Sequence, residues 1–343
     1  MPIPAAERDN RLLLFESYYE AAERFREALG ANGVKTDTID SKVLSMFLLT
    51  FHKEMKVLRP DDPEIVKLRI LCQDRLRLCE EHTAKINELQ AVVKGYYPAF
   101  VGLFGRMDSE IALDFLIRYP TQGQFRKLSD RRFVNWLGRH HYTCRRRIEG
   151  MLEKLHAPAF EIAEHLQDSK KHLIVYLSRS LKMLNAEIAE RDREINGHLD
   201  GFAECDWIRS LPGAGNVLAP SLLACLGRDP ERFGSTGEAR AFMGTAPVTK
   251  ASGKYCSVHF RRGCWKFARR TLQLFAEQSR YRCPWAQAFY QKQRDSGHKH
   301  HAALRALAHR WLKIILAMKR TGSCYNEAVY VSDQRRHLLK CPA

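Results

Sequence analysis

Two stretches without an internal glycine or proline most constrain what this chain can fold into. After Pro60 and Pro63, the residues Ile65, Leu68, Cys72, Cys79, Ile86 and Val93 step by three, four or seven as far as Gly95. Leu173, Leu177, Leu181, Leu184, Ile188 and Ile195 draw a second stripe that lasts to Gly197. Such steps line one face of a helix, so each stretch predicts a long amphipathic helix, and the pair predicts an antiparallel coiled coil. Between them, Tyr119-Pro120, Phe133, Leu137 and the basic Arg145-Arg146-Arg147 read as a small helical insertion or tip.

The flanks have a different texture. Near the front, an apolar run at residues 12–15 precedes Tyr18, Ala22, Phe25 and Leu29 at helical spacing, which predicts a strand feeding a helix. Gly30 and Gly33 stop that helix, and Asp37 opens another with Ile39, Val43, Phe47 and Phe51 near its buried face. This is the pattern of a fragment of an α/β domain. After Gly201, glycine turns separate short helices, and helical stripes return at Ala268, Leu272, Phe275 and at Leu304, Leu307, Trp311, Ile315. The expected fold is mainly α: a partial α/β domain at residues 1–58, a helical and coiled-coil region at 59–202, a helical C-terminal domain at 203–330, and a polar basic tail at 331–343.

Composition narrows the partner. With 343 residues and 45% hydrophobic content the chain can bury a sizeable core. The 56 Lys and Arg against 39 Asp and Glu give a net charge of +17. An excess of that sign suits a polyanion, so nucleic acid leads; a basic surface that serves only solubility is the plainer alternative. The ten cysteines contain no C-x-x-C pair and read as reduced thiols. His298, His300 and His301 lack cysteines at zinc-finger spacing and read as a solvated basic turn, without zinc. No run of about 18 apolar residues and no signal-peptide pattern occurs. A cytoplasmic protein with no membrane partner is expected.

Several segments carry candidate chemistry. Ile208 and Leu211 precede Gly213-Ala-Gly215, and Ala219, Leu222 and Leu223 follow, the pattern of a helix-hairpin-helix. Gly213 and Gly215 would let the backbone turn tightly, and the free amides of the following helix suit a phosphate oxygen; a helical hairpin used only for packing is the alternative. From residue 239 to 276 no acidic residue occurs, while Arg240, Lys250, Lys254, Arg261, Arg262, Lys266, Arg269 and Arg270 supply positive charge. Tyr255, Phe260 and Trp265 interleave with them as stacking or core residues. Ser252 sits in a glycine turn between Lys250 and Lys254, a loop signal that becomes a nucleophile only where its proton can leave and cations neutralise the phosphoryl oxygens. Asp37 and Asp40, three apart, fit either one side of a Mg²⁺ site or a helix cap with a carboxylate at the positive end of the helix.

In this order the features resemble the insertion-sequence transposases of the one-ten family, which pair a RuvC-like DEDD nuclease domain with a serine-bearing C-terminal transposase domain. The segment from Lys35 through Asp37 and Asp40 is similar to the end of the DEDD domain. Leu211-Pro-Gly-Ala-Gly215, Asp229-Pro-Glu-Arg-Phe233, Gly244-Thr-Ala-Pro247, Ser252-Gly-Lys254, Arg262-Gly263 and Arg269-Arg270 are similar to the family's C-terminal signature. The resemblance implies Ser252 as nucleophile toward a DNA phosphodiester and Asp37 and Asp40 as Mg²⁺ ligands. It also implies a homo-oligomer joined through the coiled coil, DNA as substrate and a structured RNA as guide. The family's first Asp and Glu precede the stretch matched here, so the resemblance implies an N-terminally truncated DEDD domain with an incomplete carboxylate site and impaired activity. An inactive DNA-binding remnant and a helix-hairpin-helix recombination accessory protein are the alternatives.

Overall fold

The computed structural model describes residues 25–28, 36–51, 61–158, 160–253 and 255–329. They are mainly helical, with one two-stranded sheet. The chain divides into two compact units, Asp74–Arg193 and the described parts of Met1–Gln73 with Glu194–Ala343. Both draw on the long helices α2 (Pro63–Tyr96) and α7 (Glu164–Asp200).

In the Asp74–Arg193 unit the two helices run antiparallel. Arg75 Nε lies 2.5 Å from Asp192 Oδ1, and Lys85 Nζ stands 5.3 Å from the Tyr176 ring centre, so partner numbers fall as residue numbers rise. The buried faces differ in detail from the seven-step reading. Leu89, Val93, Ile174, Leu177 and Leu181 are fully buried, whereas Cys79, Ile86 and Leu173 are only half-buried. An α-helix has 3.6 residues per turn, so a strict seven-residue stripe drifts off the contact line.

The segment read as an insertion folds into α3 (Glu110–Arg118), α4 (Gln122–Arg126), α5 (Asp130–Arg139) and α6 (Arg145–His156). Its core is aromatic. Phe115 is fully buried, and its ring centre lies 5.0–6.1 Å from those of Phe100, Phe104, Tyr119, Phe125, Phe133 and Trp136. Edge-on and tilted ring pairs at such separations add to the burial itself.

The other unit begins with α1 (Asp37–Phe51), where Val43 and Phe47 are buried and Ile39 and Phe51 are more than a third exposed. The strand expected at residues 12–15 lies outside the described residues. Later in the chain come α8 (Cys205–Arg209), α9 (Gly215–Leu226), α10 (Thr236–Phe242), α11 (Lys266–Arg280), α12 (Pro284–Asp295) and α13 (His300–Thr321). Helix α11 packs against α9, α12 and α13. Its inner face is Ala268, Leu272, Phe275 and Ala276, and α13 answers with Leu304, Leu307, Trp311 and Ile315, all buried. The Trp311 indole N–H donates to Ser279 Oγ at 2.7 Å, which satisfies the polar atom of the largest buried side chain.

A buried ion cluster joins the start of α2 to this body. Arg69, fully buried, donates through Nη2 to Asp61 and through Nε to the Ala224 carbonyl at 3.2 Å, and its guanidinium lies 5.3 Å from the Trp265 ring centre. Arg232 pairs with the other oxygen of Asp61. Burial works to raise the Asp61 pKa, but Arg232 and Arg69 outweigh it and hold the carboxyl below its ordinary range. Among the described residues no disulfide is formed, and none of the described helices is long and apolar enough to cross a membrane.

Candidate nucleic-acid interface

Residues 248–259, read from sequence as a basic loop, form a β-hairpin. Strand β1 (Val248–Ser252) pairs antiparallel with β2 (Tyr255–His259), from Val248 opposite His259 to Ser252 opposite Tyr255. Gly253 begins the connecting turn at φ +55°, a left-handed conformation that glycine adopts without strain and that tight hairpin turns need. Lys254 lies outside the described residues. Opposed residues share a face and alternate residues return to it, so Lys250, Ser252, Tyr255, Ser257 and His259 line one side of the hairpin. Ser257 Oγ and His259 Nε2 are 2.8 Å apart on that side. Ser252 is exposed at the turn end of β1, and among the described residues nothing hydrogen-bonds its hydroxyl.

The hairpin stem is clamped: Arg261 Nε, just past β2, donates to the Ala246 carbonyl, just before β1, at 3.1 Å. Arg269 Nη1 holds the following loop through the Arg261 carbonyl at 3.2 Å and Cys264 Sγ at 3.4 Å. Two residues placed in the basic patch by sequence therefore also build the scaffold. Gly244 makes this closeness possible, since a Cβ there would stand 2.6 Å from Cys264 Sγ and 2.9 Å from Arg269 Cδ. Lys250, Arg262, Lys266 and Arg270 are exposed.

Beside the stem opens a cleft of about 440 Å³ whose lining contains no carboxylate. Its cations are Arg261, Arg305 and Arg310, joined by His259, His298 and His309. Phe260 stands at its edge, nearly half exposed, with the guanidinium of Arg269 at 4.9 Å and that of Arg305 at 5.0 Å from its ring centre. Burial, with Arg240, Lys313 and Arg310 beside it, pushes the His309 imidazole down to about 4. The ring is then neutral near pH 7 and can donate or accept a hydrogen bond in a field set by arginines. Sequence reading missed Arg305, His309 and Arg310, which the fold brings to the hairpin from α13. Their only signal is the spacing that places 305 and 309 on one helix face.

The glycine pair ahead of α9 divides its roles. Gly213 has φ +85° and lies so close to α11 that a Cβ would meet the Gln278 carbonyl carbon at 2.9 Å. Its service is close packing. Gly215 is exposed, with open space where a Cβ would be, at the N-terminal end of α9. Pro220 inside α9 has no N–H for the Asn216 carbonyl, and Asn196 Nδ2 donates to that oxygen instead at 3.1 Å. Gly215, Asn216 and Val217 at the helix start are exposed, the first N–H groups of a helix have no intrahelical acceptor, and the first turn carries no acidic residue.

At α1 the cap is Thr36, whose Oγ1 accepts from the Ile39 N–H at 3.3 Å, so Asp37 is the first helical residue rather than the cap. Asp37 is exposed, and Asp40 is paired with Arg26 at 3.1 Å. Among the described residues no group of three or more His, Cys, Asp or Glu gathers in a way that could hold a metal ion. A carboxylate already held by an arginine and a second one standing exposed do not by themselves fit a divalent cation, which takes about six oxygen ligands. Among the described residues no hydrogen bond joins Ser252 to Asp37 or Asp40.

Two family models match the chain. One, described as the transposase family of IS116, IS110 and IS902, covers residues 205–291, which contain the glycine pair, the hairpin and the start of the cleft. The other, a DEDD transposase model of the IS110 type, covers residues 7–98 and points to dependence on a divalent metal. Among similar curated proteins, the uncharacterized 44.8 kDa protein of insertion element IS116 from Streptomyces clavuligerus is 28% identical over 87% of this chain and 74% of its own length. The uncharacterized 42 kDa protein of insertion element IS900 from Mycobacterium paratuberculosis is 28% identical over 86% of this chain and 73% of its own. Two domain models of one family, one on each flank, and similarities over most of the chain agree: the chain belongs to the IS110 family of transposases.

Proposed function

We propose that this transposase holds DNA along the Ser252 hairpin and the neighbouring basic cleft, and that Ser252 is its nucleophile. The observation that carries the reading is an exposed serine with a free hydroxyl at the end of a hairpin whose base borders a carboxylate-free cleft of arginines. Phosphate contacts fall to Lys250, Arg261, Arg262, Lys266, Arg269, Arg270, Arg305 and Arg310, and the exposed amides after Gly215 serve a backbone phosphate without reading its sequence. In the chemical step the Ser252 Oγ–phosphorus bond forms as one phosphorus–oxygen bond of the DNA backbone breaks. The serine gives up its proton and the departing oxygen of the strand end gains one. Attack by a strand hydroxyl on the serine phosphodiester reverses the same exchange and rejoins DNA. The arginines of the cleft offset the negative charge that builds on the phosphoryl oxygens.

Mg²⁺ is part of the expected chemistry of a DEDD domain, but Asp37 and Asp40 alone do not fit it. A helix-hairpin-helix at Gly213 and Gly215, homo-oligomers formed through the long helices and a structured guide RNA belong to the same reading and rest on the family resemblance. The pairing of Asp40 with Arg26 favours one second reading, a protein that binds DNA without cutting it. Strand transfer by the full chain, with supercoiled donor and target DNA and Mg²⁺, separates the two. Ser252→Ala is expected to abolish transfer while DNA affinity stays within about twofold, since the change removes one neutral hydroxyl. Transfer retained by Ser252→Ala sinks the serine mechanism, and wild-type binding without cleavage supports the second reading.

A further inference from the structure

The Asp74–Arg193 unit carries a groove of its own, about 690 Å³, between α7 and the end of α3. Its cations are Arg118, Lys171 and Arg179, and no carboxylate lines it. Arg179 and Lys171 have no carboxylate partner among the described residues, and Arg118 stands over the Tyr119 ring at 5.9 Å. Two large apolar side chains open onto the same groove: Tyr176 is 57% exposed and Met183 is 63% exposed. They are seven residues apart on α7, so both lie on one helix face with Arg179 between them.

We propose that this groove binds an unpaired nucleic-acid strand, at a site separate from the Ser252 hairpin. The distance from Lys171 to Met183 is about 18 Å of helix, room for several nucleotides in a row. Cations that no carboxylate neutralises track a phosphate backbone, and an exposed ring between them is a platform for a base whose face is open. In a duplex that face is already stacked, so the arrangement selects single strands. A polyanion suits these cations better than a second copy of this chain, whose own net charge is +17. Lys85, itself 3.8 Å from Glu81 Oε1, stands on one side of Tyr176 and leaves the ring more than half exposed.

The test is fluorescence anisotropy of the full chain with single-stranded DNA, single-stranded RNA of the same sequence, and duplex DNA, each about twenty nucleotides long. Lys171→Gln with Arg179→Gln is expected to weaken single-strand binding roughly tenfold at moderate salt and to flatten its salt dependence. Tyr176→Ala is expected to cost roughly tenfold, while Tyr176→Phe, which keeps the ring, stays within about twofold. Duplex affinity should hardly move. The tighter of the two single strands identifies which the groove serves. Single-strand affinities that stay unchanged in all variants overturn the proposal, as does an equal loss for duplex, or a shift in sedimentation without a change in nucleic-acid affinity. Failure here is read from single-strand affinity in the Lys171, Arg179 and Tyr176 variants, and failure of the serine mechanism from strand transfer, so the two are told apart.

Discussion

The Asp74–Arg193 unit and the rest of the described chain both make a helical body from a strongly basic sequence, and they do so with different materials. The first fills its interior with rings around Phe115 and leaves Arg118, Lys171 and Arg179 outside without carboxylate partners. The second packs mostly aliphatic and small residues around α11, with Phe275 and Trp311 among them, and takes cations inside, with Arg69 and Arg232 about Asp61 and Lys319 donating to the Leu226 and Asp229 carbonyls at 2.8 and 2.7 Å. Burial, with Arg232 next to it, brings the Lys319 ammonium down to about 8. The difference teaches that a count of basic residues is not a count of residues free to meet a polyanion. In the second unit part of the charge is structural, whereas the hairpin and cleft present cations outward.

The largest expected effect tests the aromatic half of that contrast. Phe115→Ala removes the hub of six ring contacts and should lower stability by about 4 kcal/mol in urea unfolding followed by near-ultraviolet circular dichroism. A loss under about 1 kcal/mol would mean that the rings repack around the gap and that the core is less tightly fitted than described.

Next in size is the charged half. Asp61→Asn leaves Arg69 and Arg232 facing each other in a buried setting and should cost about 3 kcal/mol by the same measurement. A near-neutral outcome would show that water reaches the cluster and that its cations resemble those of the surface.

Smallest is a pH effect confined to the cleft. The folded chain keeps His309 neutral down to about pH 4, while in the unfolded chain the imidazole protonates near its ordinary 6.5. Between those values the unfolded state binds more protons, so stability rises with pH across the window and is lost as acid is added. His309→Gln should reduce that slope in thermal melts between pH 4.5 and 6.5. An unchanged slope would place the imidazole in water rather than among arginines.

Much of the helical frame could be read from the sequence because its cause is repeated spacing of apolar residues. Ala268, Leu272 and Phe275 and Leu304, Leu307, Trp311 and Ile315 are all buried where a 3.6-residue period puts them. The hairpin escaped because both its faces are exposed, so no apolar alternation marks the strands, and its turn residues resemble those of any loop. Arg69 escaped for the opposite reason: a charged residue beside Leu68 reads as surface until Asp61, Ala224 and Trp265 are seen to surround it. The site was half legible. Ser252 and its flanking lysines stand together in the sequence, whereas Arg305, His309 and Arg310 lie some fifty residues on and reach the hairpin only through the packing of α13. Asp37 and Asp40 were legible as a pair, but their neighbours Thr36 and Arg26 decide how each is used in the described chain.

The central claim is that Ser252 becomes joined to DNA. The most direct measurement traps the full chain on a donor DNA with Mg²⁺, denatures it, digests the protein and sequences the nucleotide-bearing peptide by mass spectrometry. The account predicts a phosphodiester on Ser252, absent from Ser252→Ala. A nucleotide found on another side chain, or strand transfer proceeding with no covalent intermediate at all, would contradict it.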